Sequence, residues 1–354
     1  MSRAEPLVVT WARRSLSIPL YFSLAALLLL SLPLWLPLLA LFDGITDLAA
    51  GRYGLWARSR SVCFLTLYLV CEVIGVVGAA GVWLVSAGGR LPDRGAFIER
   101  NAALQRWFTG TLFRAALRLY SMGLERTGFD GDLAGPFLLL VRHTSTADTV
   151  LAAALVANPQ RLLLRYVLKR ELLWDPCLDI VGQRLPNAFV DRSGSRRQAE
   201  LSAVASLAHG LDARSAVLIY PEGTRFSPSK RDRAVAALQT EGKPEGQADL
   251  VPIAAGFRHV LPPRLGGPLA LLQAAPGVDV LILEHTGFEG AATLPSLWRG
   301  ALVGKTLRAR LRRIPAADIP ADRRDLWLFQ RWAEVDAWVA AAHAADPSPS
   351  RSQP

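Results

Sequence analysis

The sequence predicts an α/β protein: a mostly parallel sheet flanked by helices, preceded by an N-terminal two-helix membrane anchor. Three observations lead there. Two long segments near the N-terminus are almost free of charge. Beyond them, short continuous apolar runs alternate with helical stretches, the pattern of parallel strands covered on both faces. Two of those runs lead straight into polar motifs, and in such sheets chemistry sits beyond the carboxyl ends of the strands.

The composition supports this class. Of 354 residues 51% are hydrophobic and 20% charged, with 40 Lys+Arg against 30 Asp+Glu and a net charge of +10. The apolar content excludes a mostly disordered chain. Three cysteines, Cys63, Cys71 and Cys177, exclude a disulfide scaffold, and they lack metal-ligand spacing, so no metal is expected. A basic chain with a mean hydropathy of +0.25 fits a membrane-attached protein better than a nucleic-acid binder. The arginines are scattered and no nucleic-acid motif appears, so no nucleic-acid partner is expected.

The anchor is read as residues 1–89, with apolar segments at about 15–42 and 61–87. The first has no charge from Ser15 to Phe42, and as a helix it is longer than the roughly 30 Å hydrocarbon core. Pro33 and Pro37 leave two forms open, a tilted span or a shallow re-entrant hairpin. A secretory signal peptide fits poorly, because the apolar region is too long and no small-x-small cleavage site follows. Arg3, Arg13 and Arg14 precede the first segment, and an arginine-rich stretch from Arg90 to Arg118 follows the second. The positive-inside bias therefore puts both ends in the cytoplasm and the connector 43–60 outside. Glu72 interrupts the second segment, where a neutral interhelical hydrogen bond is favoured over a lipid or proton contact.

Residues 90–345 are read as one cytoplasmic domain and 346–354 as a disordered tail. Arg100–Leu124 is an amphipathic helix with Leu104, Phe108, Leu112, Ala115 and Leu119 on one side, suited to anionic headgroups or to a domain surface. Strands are expected at Pro136–Val141, Leu162–Leu168, Ala216–Tyr220, Val251–Ala255 and Val278–Leu283. Helices are expected at Thr149–Ala157, Arg197–Gly210 and Asp325–Ala342. The last should dock on the domain through Leu328, Trp332, Val335 and Val339. Arg231–Gln247 reads as a loop or frayed helix.

The first polar motif is His143-Thr-Ser-Thr-Ala-Asp148. On a continuous helix five residues turn about 500° and splay the two side chains apart, whereas a strand-to-helix turn lets them meet. Ser145-x-x-Asp148 has the form of a capping box and places a helix start there. Asp148 can then accept from one imidazole nitrogen of His143, leaving the other to take a proton from an alcohol. Alone the motif is weak, since His143 could be an incidental loop residue. The second motif, Pro221-Glu222-Gly223-Thr224-Arg225, follows another strand. Its glycine lets backbone approach an anion and its arginine offers a bidentate fork. Two strand-end motifs, one a base and one an anion clamp, belong at one rim of the sheet.

At these residues the sequence resembles the PlsC-type 1-acylglycerol-3-phosphate acyltransferases. Four stretches in family order carry the resemblance: His143 to Asp148; Lys169 to Pro176, continuing through Gly182 to Phe189-Val-Asp-Arg192; Pro221 to Arg225; and Val260-Leu-Pro-Pro-Arg-Leu-Gly-Gly267. Val251-Pro252-Ile253 is a second candidate for the fourth. Asp175, Cys177 and Asp179 depart from the pattern around Pro176. The resemblance implies a glycerolipid acyltransferase-like fold and a lysophosphatidate acceptor, with acyl-CoA or acyl-carrier protein as donor and no cofactor or metal. It implies that His143 is the general base, that Asp148 orients it, and that Glu222, Gly223, Thr224 and Arg225 bind the glycerol phosphate. Lys169 and Arg264 are further phosphate or CoA candidates, each also readable as a surface charge. Backbone amides near Gly223 are candidates for the oxyanion. The partners implied are the lysophospholipid, the thioester donor and membrane lipids. Another lysophospholipid or a lyso-aminolipid is the alternative acceptor. A catalytically silent lipid-binding protein is the reading from another class, but it predicts loss of His143 or Asp148. His209, His259, His285 and His343 lack a carboxylate five residues on and read as structural or surface, and Cys177 as packing.

Overall fold

The structure, a computed structural model, describes the chain apart from residues 1–4, 52–53, 90–92, 132, 146, 191–196, 241–247, 292 and 346–354. The expected tail, Asp191-Arg192 and the end of the 231–247 segment lie outside the described residues. Two long helices, α1 (Leu7–Ala49) and α2 (Ala57–Val85), precede α3 (Arg94–Leu119) and β1 (Gly123–Thr127). Then come β2 (Phe137–Val141), α4 (Asp148–Ala152), β3 (Leu163–Lys169), α5 (Pro176–Arg184), β4 (Ala188–Val190) and α6 (Arg197–Ser206). The chain continues through β5 (Ser215–Ile219), α7 (Pro228–Thr240), α8 (Leu250–Gly256), α9 (Gly266–Ala274), β6 (Asp279–Thr286), α10 (Leu294–Trp298), β7 (Thr306–Ile314) and α11 (Arg324–Ala344).

Among the described residues the strands form a seven-stranded sheet in the order β1-β7-β6-β2-β5-β3-β4. All pairs are parallel except β6 with β7. The central strand β2 is buried throughout and sits between β5 and β6. Phe137, Leu139 and Val141 face a core shared with α3 and α4, while Leu138 and Leu140 face one built by α8, α9 and α11. Covering both faces is what the continuous apolar runs require. The predicted face of α11 docks as expected, with Leu328, Trp332, Val335 and Val339 fully buried.

Several expectations are corrected. Val251–Ala255 lies in a helix, α8, not a strand. Its Leu250 and Ala254, four apart, are buried, and Pro252 sits in the first turn, where a missing N–H costs nothing. A short apolar run does not distinguish the two states by periodicity. The 231–247 segment is helical over its described part, in α7. The strands β1, β4 and β7 were not anticipated. β7 alternates, burying Leu307, Ala309 and Leu311 between arginines, a half-exposed pattern that a search for continuous apolar runs passes over. Beyond its first turn, the amphipathic helix α3 leaves Arg100, Ala103, Arg114 and Arg118 exposed on one face and is covered elsewhere. Leu104 and Phe108 meet α2 at Gly78 and Gly75, while Phe113 and Ala116 pack toward the sheet.

The N-terminal segments form a helical hairpin. Both helices are long and apolar enough to cross a membrane by length and composition. α1 continues through Pro19, Pro33 and Pro37 as one helix, with no re-entrant turn. Asp43, fully buried at its end, accepts from Ser59 N and Oγ at 2.8 Å and pairs with Arg58 at 3.0 Å, closing the hairpin. The connector end of the hairpin and α2 also make contacts with the domain itself. α2 rests on the domain from end to end. Arg60 donates to Ser121 Oγ at 2.8 Å and Ser61 to Leu297 O at 3.3 Å; Tyr68 donates to Asp175 at 2.7 Å; Arg184 donates to Ala79 O at 2.7 Å. Glu72 accepts the Cys177 amide at 2.9 Å, so its partner is the first turn of α5. A Cβ on Gly75 would stand 2.4 Å from Cys177 Sγ, which is why a glycine sits at this crossing. Hydropathy reports an apolar surrounding without saying whether it is lipid or protein. The exposed apolar surface belongs mainly to α1, including Leu27, Leu30, Leu34, Leu38 and Leu41.

α1 is fastened to the domain through Asp179, which is fully buried and takes Arg13 Nη2 at 2.9 Å and Arg14 Nε at 2.8 Å. Removing Asp179 takes the carboxylate from Arg14 and leaves buried Arg13 with Glu5 alone. Asp179→Ala is therefore expected to cost about 3 kcal/mol in denaturant unfolding of the detergent-solubilised protein. A loss below about 0.5 kcal/mol, the range of an exposed ion pair, would show that the latch carries nothing.

Candidate active site

The site lies where β2 and β5, adjacent parallel strands, both end. β2 delivers Arg142 and His143, and α4 starts five residues later at Asp148. β5 delivers Tyr220 and the turn Pro221–Arg225. The two loops are tied by backbone: Phe226 N donates to His143 O at 2.9 Å. The expected meeting of the two motifs at one rim is therefore a consequence of strand order.

Asp148 is fully buried. Its Oδ2 accepts Thr144 N at 2.5 Å and Ser145 N at 2.8 Å and faces His143 Nδ1 at 3.1 Å. Its Oδ1 takes the hydroxyls of Ser145 at 3.1 Å and Thr144 at 3.3 Å. The return bond from Asp148 to the Ser145 amide is half of the anticipated capping box. The Ser145 hydroxyl instead donates to Asp148 and accepts from Ala147 N. Burial opposes ionisation of Asp148, but the imidazoles of His285 and His143 and the Ser145 amide outweigh it and hold the carboxyl below its ordinary range. The His143 ring stacks on Tyr220 with centroids 4.4 Å apart. Its side chain is 14% exposed, so it is open to a reactant while Asp148 is not.

Glu222 is also buried, and it faces inward, away from solvent. Its Oε1 accepts His143 N at 2.9 Å and its Oε2 accepts Leu261 N at 3.0 Å. It joins three loops: the one after β2, its own, and the segment Val260–Gly267. Arg264 N donates to Pro221 O at 2.8 Å in the same contact. This places Val260–Gly267 beside the site, whereas Val251-Pro252-Ile253 is in α8. Gly223 has φ +67°, and a Cβ there would meet Arg264 Cδ at 2.6 Å, so the glycine admits both the turn and the arginine. Its own N–H is engaged with Tyr220 O at 2.9 Å, closing the turn. Thr224 Oγ1 and Arg225 O both accept from Lys230 Nζ, at 3.3 and 3.0 Å. Arg225 is half-buried in that turn and Arg264 is exposed. Lys169 ends β3, separated from β2 by β5, and forms an exposed ion pair with Glu171 at 2.8 Å. Among the described residues no group of three or more His, Cys, Asp or Glu side chains is arranged to hold a metal ion.

Sequence reasoning missed two residues behind the site. Arg142 is 1% exposed, and its guanidinium donates to His285 O at 2.6 Å, Glu289 Oε1 at 2.6 Å and His259 O at 2.9 Å. Burial opposes the Glu289 charge, but the His343 contact and Arg142 pull its carboxyl well below the usual range. His285, read as structural or surface, is fully buried, with Nε2 2.9 Å from Arg142 O and 3.6 Å from Asp148 Oδ1. A signal for Arg142 was present, a charge directly between an apolar strand and a polar motif. None existed for His285, because the expected strand ends three residues too early, at Leu283 rather than Thr286.

Known proteins resemble this chain in part of its sequence and in its fold. The Acyltransferase family model matches residues 124–263, from β1 to just past Leu261. An uncharacterized acyltransferase of Schizosaccharomyces pombe is 22% identical over 68% of this chain and 74% of its own length. The 1-acyl-sn-glycerol-3-phosphate acyltransferases gamma and delta of Mus musculus are 33% and 31% identical over 34% of this chain. The match covers 30% of each mouse protein's length. The crystal structure of the 1-acyl-sn-glycerophosphate acyltransferase PlsC from Thermotoga maritima superposes with a TM-score of 0.50 at 18% identity, covering 81% of this chain and 98% of that one. That likeness concerns the fold. Residues 124–263, which hold both strand-end motifs, are the part that matches the acyltransferase model. Over part of its length the chain is similar to 1-acyl-sn-glycerol-3-phosphate acyltransferases, and its fold is similar to that of PlsC.

Burial pushes the Glu222 carboxyl up to about 8, against the pull of the His143 and Leu261 amides and of Arg142. An acid whose folded pKa lies above its ordinary 4.5 binds its proton more tightly when folded. Its contribution to stability is therefore full below about 4.5 and declines as pH rises through about 8. Glu222→Gln should remove that decline from a series of thermal unfolding curves. An unchanged pH slope would contradict the assignment.

Proposed function

We propose that the chain transfers an acyl group from acyl-CoA or acyl-carrier protein to the free hydroxyl of 1-acylglycerol-3-phosphate, forming phosphatidate. The observation that carries this reading is the His143–Asp148 pair. A carboxylate fixed by two backbone amides faces Nδ1 at 3.1 Å, so Nε2 remains for the substrate. In the proposed step Nε2 takes the proton from the acceptor hydroxyl as its oxygen bonds to the thioester carbon. The tetrahedral intermediate collapses, the C–S bond breaks, and the imidazolium returns the proton to the departing thiolate. Asp148 orients the ring and balances the transient imidazolium. No covalent acyl-enzyme is needed.

Arg225 and Thr224, on the turn packed against His143, are assigned to the acceptor phosphate. Arg264, lying over Gly223, and Lys169 are assigned to anionic parts of acceptor or donor at the edge of the site. Glu222 is assigned a role in holding the loops, since its oxygens are turned to backbone amides. Residues 90–345 act as the catalytic unit. The α1–α2 hairpin keeps that unit at the cytoplasmic face of the membrane, with the exposed apolar side of α1 in lipid. The names of the mouse relatives and of PlsC support the acceptor class.

His143→Ala should lower kcat by roughly 10²–10⁴-fold in membranes while the protein stays membrane-associated. Undiminished transfer would end the proposed mechanism. Arg225→Ala should raise KM for the phosphate-bearing acceptor by about tenfold or more, the worth of a charge-assisted hydrogen bond. An unchanged KM would remove Arg225 from the phosphate site.

A further inference from the structure

The proposed mechanism uses His143 and Asp148 but leaves the second histidine of the rim without a task. His285 belongs to β6, which runs parallel to β2 with Val141 opposite Leu283. Arg142 N donates to Leu283 O at 3.2 Å, extending that pairing one residue past the strand. The register therefore carries His285 to the level of His143, on the flank of β2 away from β5. Its ring is fully buried, against Phe288 on one side and Asp148 on another.

The hydrogen bonds fix its protonation. The Arg142 carbonyl at 2.9 Å can only accept, so Nε2 carries a proton. Nδ1 is buried and has no hydrogen-bond partner among the described residues. A cationic ring would leave a second N–H there without an acceptor, in a pocket that already holds the Arg142 guanidinium. Burial and that guanidinium both oppose the charge, and only Asp148, the Arg142 carbonyl and Glu289 favour it; the balance lies below the ordinary range. His285 is a neutral donor whose single N–H faces two oxygens, Arg142 O and, at 3.6 Å, Asp148 Oδ1. Arg142 holds it from the other end as well, donating to His285 O at 2.6 Å.

We propose that His285 is a positioning residue for acyl transfer: its Nε2–H closes the flank of Asp148 opposite His143 and locks the Arg142–His143 backbone, so that the carboxylate stays aimed at His143 Nδ1. The proposal rests on the reading of His143 and Asp148 as the catalytic pair. It differs from that reading in predicting an effect on the chemical step from a residue with no path to substrate. His285 acts through a donor group, so the shape of the side chain alone does not substitute for it.

Two near-isosteric variants separate donor from shape. His285→Gln can place an amide N–H where Nε2 stands, and His285→Met has similar length with no donor. With the full chain in membranes, His285→Gln should keep kcat within about threefold, and His285→Met should lower it at least about tenfold, part of the roughly 10²–10⁴ contributed by an oriented base. KM for the acceptor should move less than about twofold in either variant. Equal kcat in the two variants, or a loss confined to KM, would overturn the proposal. A second measurement stands apart from turnover and from whether the Met variant folds. The chain has 5 histidines, so nitrogen NMR of histidine-labelled protein in detergent resolves each ring, with His285→Gln identifying the signal. At pH 7 His285 should be neutral and protonated at Nε2. A cationic ring or the Nδ1–H form would overturn the proposal. Absence of acyl transfer by the parent protein, with the Nε2–H form intact, would instead count against the functional reading.

Discussion

Asp148 has no solvent exposure, and a carboxylate taken out of water stays ionised only where donors converge on it. Five donors, from Thr144, Ser145 and His143, do so within 3.3 Å, and they come from the short stretch between the end of β2 and the start of α4. That need shapes the loop. A strand that ends in solvent would leave the 144 and 145 amides to water; here they wrap the carboxylate and start a helix. The imidazole of His143 is the one partner that also reaches the surface, so a structural demand of the buried charge becomes a chemical asset.

The neighbouring loops follow the same logic. Arg142 and Glu222 are ionisable, buried, and turned toward backbone groups of segments far apart in sequence. Each ties strand-end loops together where apolar packing has run out. A parallel sheet supplies a row of such loop ends along one rim. Buried polar groups then convert a set of loops into a rigid wall, with Thr224 and Arg225 on one side of the histidine and the 285–289 segment on the other. The docked hairpin extends this scheme outward: Asp179 and Glu72, both buried, bind α1 and α2 to α5 through an arginine pair and a backbone amide.

How much of this was legible in the sequence depends on the range of the interaction. The pairing of His143 with Asp148 and the strand-turn contexts of both motifs are local, and the residues declare them. The central strands announce themselves because burial on both faces makes them continuously apolar. β7 does not, since its apolar residues alternate with arginines at the sheet's far side. Val251–Ala255 misled because a short apolar run fits a buried helix equally well. The docking of α2 was hidden for a related reason: a helix packed on protein and a helix in lipid have the same hydropathy. The contact of His285 with Arg142 depends on strand order and register, which bring residues more than a hundred positions apart together and leave no mark in the neighbourhood of His285.

The account's central claim is that this rim deprotonates the hydroxyl of a phosphate-bearing lysolipid beside an acyl thioester. Its most direct test is an acyl-transfer assay on membranes containing the protein. A panel of lysolipid acceptors would compete for one labelled donor, with acyl-CoA and acyl-carrier protein tried in turn. The account predicts that 1-acylglycerol-3-phosphate is acylated in preference to a monoacylglycerol that lacks the phosphate. Equal use of the two, or no transfer to any acceptor from either donor, would contradict it.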